Sequence, residues 1–277
     1  MFNLKLFVGA VACLTVGIGA GLLWPSTTRL TFLSVGQGDC AVFQHEGTTV
    51  LIDSGPKNPK IDAGEKIVVP DLRALGISGV DLILLSHPDI DHVGGTGAIL
   101  KAYPNATVAI SEYFRENHQL LELLRVWGRT PDQVRWLGPE YYGALGEFKI
   151  TIDCPQITPD GETNDGSMVV RLADGAASAV FTGDAPAKVE EQLCQIGNWH
   201  SEIMKAGHHG SRTATCQDWI QAVSPQYAIL SCGLNNEYHH PHQVVLDRLA
   251  KAHVKICRTD QEGDITFILR NGRFERE

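Results

Sequence analysis

The chain of 277 residues is short of positive charge: 23 Lys and Arg stand against 32 Asp and Glu, a net charge of −9. This balance excludes a broad basic surface that grips nucleic acid non-specifically. It leaves room for a nucleic-acid substrate held through divalent cations, whose charge the residue count omits. No C-x-x-C pair occurs among Cys13, Cys40, Cys154, Cys194, Cys216, Cys232 and Cys257. A zinc ribbon and a thioredoxin-like redox site are thereby excluded. These cysteines read mostly as buried thiols, and a disulfide in an exported domain has no assignable pair. There is no G-x-S-x-G motif and no paired Cys/His signal, so no protein nucleophile is indicated. Linkers, repeats and low-complexity runs are also missing after Trp24. With 43% hydrophobic and 20% charged residues, the chain is neither a disordered acidic tail, a coiled coil nor a collagen-like repeat.

What is present begins with an apolar leader. Leu6 to Trp24 carries no charge, Lys5 precedes it, and Pro25, Ser26 and Arg29 follow. Nineteen residues are just enough to cross a bilayer as a helix. Residues 1–25 therefore read as a signal peptide or an uncleaved anchor. The anchor is favoured, because no A-x-A site closes the apolar run just ahead of Pro25. Gly9, Gly17, Gly19 and Gly21 would weaken a helix in water but are tolerated in a membrane span. Either reading places the remainder outside the cytoplasm, at the cell surface or in the periplasm. Residues 29–277 read as one domain.

Within that domain, strands are expected at Leu30–Val35, Ala41–Gln44, Thr48–Ile52, Val80–Leu85, Val108–Ile110, Lys149–Ile152, Ser167–Leu172, Ser178–Thr182, Glu202–Lys205, Tyr227–Ser231 and, closing the chain, Ile265–Leu269. Helices are expected at Val69–Leu75, Gly94 to Ala102, Glu112–Trp127, Pro186–Ile196 and Gln243–Ala252. Interleaved strands and helices imply a mixed α/β domain with sheet inside and helices outside.

The histidines carry the chemistry. Seven of the 11 fall in three clusters, His87/His92, His208/His209 and His239/His240/His242. Each follows an apolar strand or sits in a turn, and groups at strand ends can converge on one sheet edge. The first cluster packs His87, Asp89, Asp91 and His92 into six residues. In a tight loop His87 and Asp89 can point one way and Asp91 and His92 another, which suits two adjacent metal ions. Imidazole with carboxylate favours zinc, manganese or iron. Asp184 closes an apolar strand and could bridge two cations through its two oxygens; it could instead cap the helix from Pro186.

His87-x-Asp89-x-Asp91-His92 resembles the H-x-[HD]-x-D-H signature of the metallo-β-lactamase superfamily. Five further motifs follow in order: Phe32 to Asp39, Leu51 to Gly55, Phe181 to Asp184, Lys205 to Ser211 and Asn236 to Pro241. Together they are similar to the extracytoplasmic nuclease-like domain of the ComEC competence proteins, over nearly all of the chain after residue 29. The large multi-spanning channel of that family is not in this sequence. The resemblance implies an αββα sandwich and a two-metal hydrolase acting on DNA, with two divalent ions (Zn or Mn), DNA as substrate, the membrane reached through the N-terminal segment, and competence-channel proteins as possible partners.

Residue by residue, it implies His87, Asp89 and Asp184 for the first metal, Asp91 and His92 with the same cluster, and His208 for the second metal. His209 becomes a supporting or substrate-facing group. His240 matches the His of the family's His-Pro motif and would donate to the scissile phosphate or protonate the leaving group. Asn164 is either an amide ligand, favouring manganese or magnesium, or the shaper of a turn with Asp165 and Gly166. Ser211 would hydrogen-bond a ring or a phosphate oxygen. Asp53 and Asp39 orient ligands or cap turns. Ser34 stands where the family usually has Asp. Asp91, His209 and His240 are nearest the chemistry, expected to proceed through a metal-bridging hydroxide. Arg212 and Lys205 are candidates to line a DNA groove. The competing readings are a hydrolase of a lactone, β-lactam or small phosphodiester, and a membrane-tethered DNA-binding module.

Overall fold

The computed structural model describes residues 27–156 and 161–277. The apolar stretch Leu6–Trp24 lies outside the described residues. Among the described residues no helix is long and apolar enough to cross a membrane.

The first half supplies strands β1 (Arg29–Phe32), β2 (Ala41–His45), β3 (Thr48–Ile52), β4 (Leu82–Leu84), β5 (Thr107–Ser111) and β6 (Val134–Leu137). It also supplies helices α1 (Val69–Ala74), α2 (Ile90–Val93), α3 (Thr96–Ala102) and α4 (His118–Val126). The second half supplies β7 (Glu140–Leu145), β8 (Phe148–Asp153), β9 (Val169–Asp174), β10 (Ala177–Phe181), β11 (Ile203–Lys205), β12 (Tyr227–Leu230) and β13 (Lys255–Arg258). With these come α5 (Ala187–Ile196), α6 (Gln217–Val223), α7 (Gln243–Lys251) and α8 (Thr259–Glu262), before β14 (Ile265–Arg270) and β15 (Arg273–Arg276) close the chain. One sheet runs β15-β14-β1-β2-β3-β4-β5-β6 and the other β13-β12-β11-β10-β9-β8-β7.

Period-two alternation builds the layer between the sheets. Phe148, Ile150 and Ile152 of β8 face Leu30 and Phe32 of β1, Phe43 of β2, Phe181 of β10 and Phe267 of β14 in one buried cluster. Helices α1, α3 and α4 cover the outer face of the first sheet, and α5, α6 and α7 that of the second. The result is an αββα sandwich.

Strands β3 to β6 run parallel to one another, as do β10 to β13. Their carboxyl ends share one edge, which is where open α/β sheets place ligands. The segment expected as one helix, Glu112–Trp127, is instead a short 3₁₀ turn at Glu112–Phe114 followed by α4. Ser111 caps the first by accepting from Tyr113 N, and Asn117 caps the second by accepting from Leu120 N at 2.9 Å. Ile265–Leu269 does not close the chain, because Asn271-Gly272, both with positive φ, turn it into a hairpin with β15. Pro186 sits just before α5 rather than in its first turn.

Candidate metal centre

The site is assembled from the loops after β1, β3, β4, β10, β11 and β12. The β4 loop carries the first histidine cluster. Asp53, at the end of β3, accepts from Ser86 N at 2.8 Å and from the Ser86 hydroxyl at 2.9 Å, and its Oδ2 lies 2.9 Å from His92 Nδ1. With Nδ1 engaged by a carboxylate, His92 turns Nε2 into the site. Gly38 and Gly95 permit the close approach of these loops. A Cβ at Gly38 would run into the Asp91 carbonyl and one at Gly95 into that of Ser54.

Asp184 stands at the centre. Its Oδ1 lies 3.1 Å from His92 Nε2 and its Oδ2 is 3.5 Å from both His208 Nε2 and His209 Nε2. Its backbone N–H donates to the Ser167 hydroxyl. It does not cap α5, whose preceding residue is Pro186 with no side-chain cap. Asp91 Oδ2 lies 3.2 Å from His209 Nε2. His87 Nε2 faces Asp89 Oδ2 at 3.6 Å, and its ring lies 4.2 Å from that of His92. Potential ligand atoms of Asp39, His92, Asp184 and His209 all fall within 4.8 Å of one another.

His208 and His209 both take left-handed backbone conformations, with φ of 48° and 55°. The two rings thereby diverge, 77° apart in plane. His209 is 1% exposed, with Nδ1 on the Ser231 carbonyl at 3.0 Å and near Asp39 Oδ1 at 3.2 Å. His208 is partly exposed, and its Nδ1 meets the Thr213 hydroxyl at 3.3 Å. Ser211 reaches neither ring; its hydroxyl bonds that of Thr213 at 2.9 Å and so acts one step away. Asn164 lies in a 3₁₀ turn with Asp165 and Gly166, beside the Ser167 that holds Asp184. Asp165 pairs with Lys188 at 2.6 Å. Ser34 stays clear of the cluster, donating its hydroxyl to the Thr259 carbonyl and its N–H to Asp264. His118 is exposed at the start of α4.

Electrostatics tie these groups together. Burial opposes ionisation of Asp184, yet His209, His92 and His87 hold its carboxyl well below the usual range. Burial likewise opposes the charge on His92, but Asp184, Asp53 and Asp91 raise it well above an ordinary imidazole. Against its own burial, His209 is lifted to about 9 by Asp184 and Asp39. The carboxylates therefore demand positive charge. Buried His87 Nε2 makes no hydrogen bond, and buried His92 Nε2 and Asp184 Oδ1 have no partner but each other, 3.1 Å apart. Orphaned atoms of this kind, drawn from imidazole and carboxylate, fit divalent cations as their missing partners.

Two placements were not legible in the sequence. Lys205 does not line a groove: it is 3% exposed beneath the centre, its Nζ 2.5 Å from Asp39 Oδ2. Gln37 donates its amide to His240 Nδ1 at 3.3 Å and accepts from Gly233 N at 3.1 Å. Its place in the Gly36-Gln37-Gly38-Asp39 turn was the only signal. Burial first, then His209, His208 and His242, push His240 down to about 4. His239 has a positive φ of 57° in the same loop. His242 Nδ1 accepts from Arg212 N, and Arg212 itself is exposed. The described cysteines are all unpaired.

An αββα sandwich with an Asp/His cluster at the carboxyl edge of both sheets, able to bind metal ions, defines the class. The chain belongs to the metallo-β-lactamase superfamily, whose family model matches residues 33–233. Within it, the chain is similar to ComE operon protein 3 of Bacillus subtilis, 30% identical over 89% of this chain and 34% of that protein. It is similar also to competence protein ComA of Neisseria gonorrhoeae, 32% identical over 88% of this chain and 32% of that protein. A third relative is recombination protein 2 of Haemophilus influenzae, 30% identical over 95% and 31%. The chain thus spans about a third of the length of these relatives. Among solved structures, the fold matches the metallo-β-lactamase fold protein YhfI of Bacillus subtilis. The TM-score is 0.58 at 12% identity, covering 87% of this chain and all of that one.

Proposed function

We propose that the protein is a metal-dependent phosphodiesterase that cuts DNA, working outside the cytoplasm in DNA uptake or turnover. The observation that carries the reading is the buried cluster at the shared sheet edge, where His87 Nε2 has no hydrogen-bond partner and His92 Nε2 and Asp184 Oδ1 have only each other. His87, Asp89 and Asp184 would hold one cation, and Asp91, His92, His208 and His209 would complete the set around a second. His209 joins His208 as a candidate ligand because both Nε2 atoms stand 3.5 Å from the same Asp184 oxygen. Two divalent cations, zinc or manganese, would supply an acidified water at neutral pH and neutralise charge gathering on the phosphate.

The chain's own groups do the rest. Asp53 and Asp39 fix the rings of His92 and His209. Gln37 occupies His240 Nδ1, so a neutral His240 carries its proton on Nε2. That proton can hydrogen-bond a phosphoryl oxygen or the departing alkoxide, which takes its own proton from water as the P–O bond breaks. The similarity to competence proteins supports DNA as the substrate and a channel protein as partner, and the apolar segment Leu6–Trp24 supports membrane attachment.

The test is cleavage by the full chain in detergent, stripped by chelation and reloaded with Mn²⁺ or Zn²⁺. Single- and double-stranded DNA would be compared with a small phosphodiester and a lactone. Metal-dependent DNA cleavage, lost in Asp184→Ala and His87→Ala, is the expected result. Turnover of the small substrates alone would sink the DNA assignment, and metal binding without turnover would turn the reading towards a binding module.

A further inference from the structure

We propose that the Tyr238 ring is a stacking platform for a nucleobase, which makes single-stranded nucleic acid the preferred form of the substrate. The inference deepens the phosphodiesterase reading and rests on it for where the scissile phosphate lies. Tyr238 is 56% exposed. One face lies against His240, ring centroids 5.7 Å apart and planes 24° from parallel. His240 in turn stands 5.8 Å from the His208 ring and 6.3 Å from the His209 ring. The open part of Tyr238 is therefore one ring removed from His240, the candidate hydrogen-bond donor to the phosphate. A base attached to the sugar bearing the scissile phosphate can reach it.

The platform is built in advance of any ligand. Asn236 donates to the carbonyls of Gly233 at 2.8 Å and His240 at 2.7 Å, and accepts from His240 N at 2.9 Å. Gln37 pins His240 from the other side. These bonds fix the loop and the His240 ring against which Tyr238 stacks, so less entropy is lost when a base joins the stack. The same loop exposes Leu234 at 72%, and the loop of the first histidine cluster exposes Ile90 at 39%. With a net charge of −9, affinity for nucleic acid has to come from something other than a basic surface. Aromatic stacking supplies it without reading sequence. In a duplex the bases already stack on each other inside the helix, so the platform gains nothing from them.

The test uses the full chain in detergent, Mn²⁺-loaded, on a single-stranded thymidine oligomer and on an oligomer of abasic sites of equal length. Tyr238→Ala should raise KM about tenfold on the thymidine oligomer and leave the abasic oligomer and a duplex unchanged. Tyr238→Phe, which keeps the ring, should behave like the parent. Equal losses on both oligomers would mean that Tyr238 only shields His240, and no loss on either would mean that it touches no substrate; both overturn the proposal. A second readout needs no turnover. Tyr238→Trp in EDTA, read against the parent, should be quenched by the thymidine oligomer and not by the abasic one, and equal or absent quenching overturns the proposal. If the parent cuts neither oligomer, the phosphodiesterase reading fails by itself while the quenching still decides the platform.

Discussion

Lys205 tests how the centre is supported. Its ammonium is 3% exposed and meets Asp39 Oδ2 at 2.5 Å, while the Asp39 side chain is 8% exposed and turns Oδ1 towards His209 Nδ1 at 3.2 Å. Burial alone would neutralise Asp39, but Lys205, His209 and His92 hold its carboxyl below the usual range. Lys205→Met preserves the volume of the stem and removes the charge, so the carboxylate stays buried with only imidazoles to face. Removing one member of a buried ion pair costs about 3–5 kcal/mol. For a domain of this size each kcal/mol moves Tm by about 2–4 °C, so Tm should fall by roughly 6–20 °C. Adding Asp39→Asn removes the orphaned charge, and the double variant should recover at least half of the loss. The assay is thermal and urea unfolding followed by circular dichroism, in chelator, for the parent, both single variants and the double. A Lys205→Met protein within about 1 kcal/mol of the parent, or a double variant whose loss equals the sum of the singles, would refute the reasoning.

Glu190 is fully buried and accepts the N–H groups of Thr215 and Cys216, both at 2.8 Å, which ties down the chain after His208 and His209. Burial pushes its carboxyl up from 4.5 to about 7, against those two donors. With the folded value raised, the stability it contributes is full below about 4.5 and is lost as pH rises through about 7. The loss amounts to about 3 kcal/mol. Urea midpoints at pH 5 and pH 8 should therefore shift in favour of Glu190→Gln by that amount at the higher pH, and an unchanged gap would count against it. Asp53→Asn removes the carboxylate that turns His92, so metal affinity measured by competition with a chromogenic chelator should drop about 10- to 100-fold; parent-like affinity would mean that Ser86 alone suffices.

The strands that end at the site were readable because burial on both faces makes them continuous apolar runs, as in Leu82–Leu84 and Ala177–Phe181. The strands that the sequence did not reveal, β6, β7, β13 and β15, are the four edges of the two sheets. Edges are kept short and polar to discourage pairing with other chains, which erases the pattern that identifies a strand. Glu140–Leu145 alternates exposed and half-buried residues along its whole length. Helix α6 also escaped notice. Within the site, the ligand types were readable because His87, Asp89, Asp91 and His92 are neighbours in the chain. Lys205 beneath Asp39, and Gln37 on His240, are 166 and 203 residues from their partners. Such contacts depend on how the two sheets are laid together, and no local pattern encodes them.

The consecutive left-handed residues His208 and His209 make the cost of the site measurable. L-residues pay roughly 1–2 kcal/mol in that region of backbone space, and glycine does not. His208 has less packing to lose than His209, since its side chain is 29% exposed and its side-chain hydrogen bond to Thr213 is 3.3 Å long. His208→Gly should therefore unfold in EDTA at the same urea midpoint as the parent or a higher one. Saturating metal reverses the order if His208 is a ligand, because a cation at a hundred times its Kd adds about 2.7 kcal/mol to the protein that binds it and less to the one that binds it weakly. His209→Gly is the contrast. That ring is 1% exposed and bonded through Nδ1 to the Ser231 carbonyl, so relief of backbone strain should not offset the cavity, and the variant should be less stable in EDTA as well. A His208→Gly protein more than about 1 kcal/mol less stable than the parent without metal would place His208 in the framework of the fold. Equal stabilisation of parent and variant by metal would remove it from the ligands.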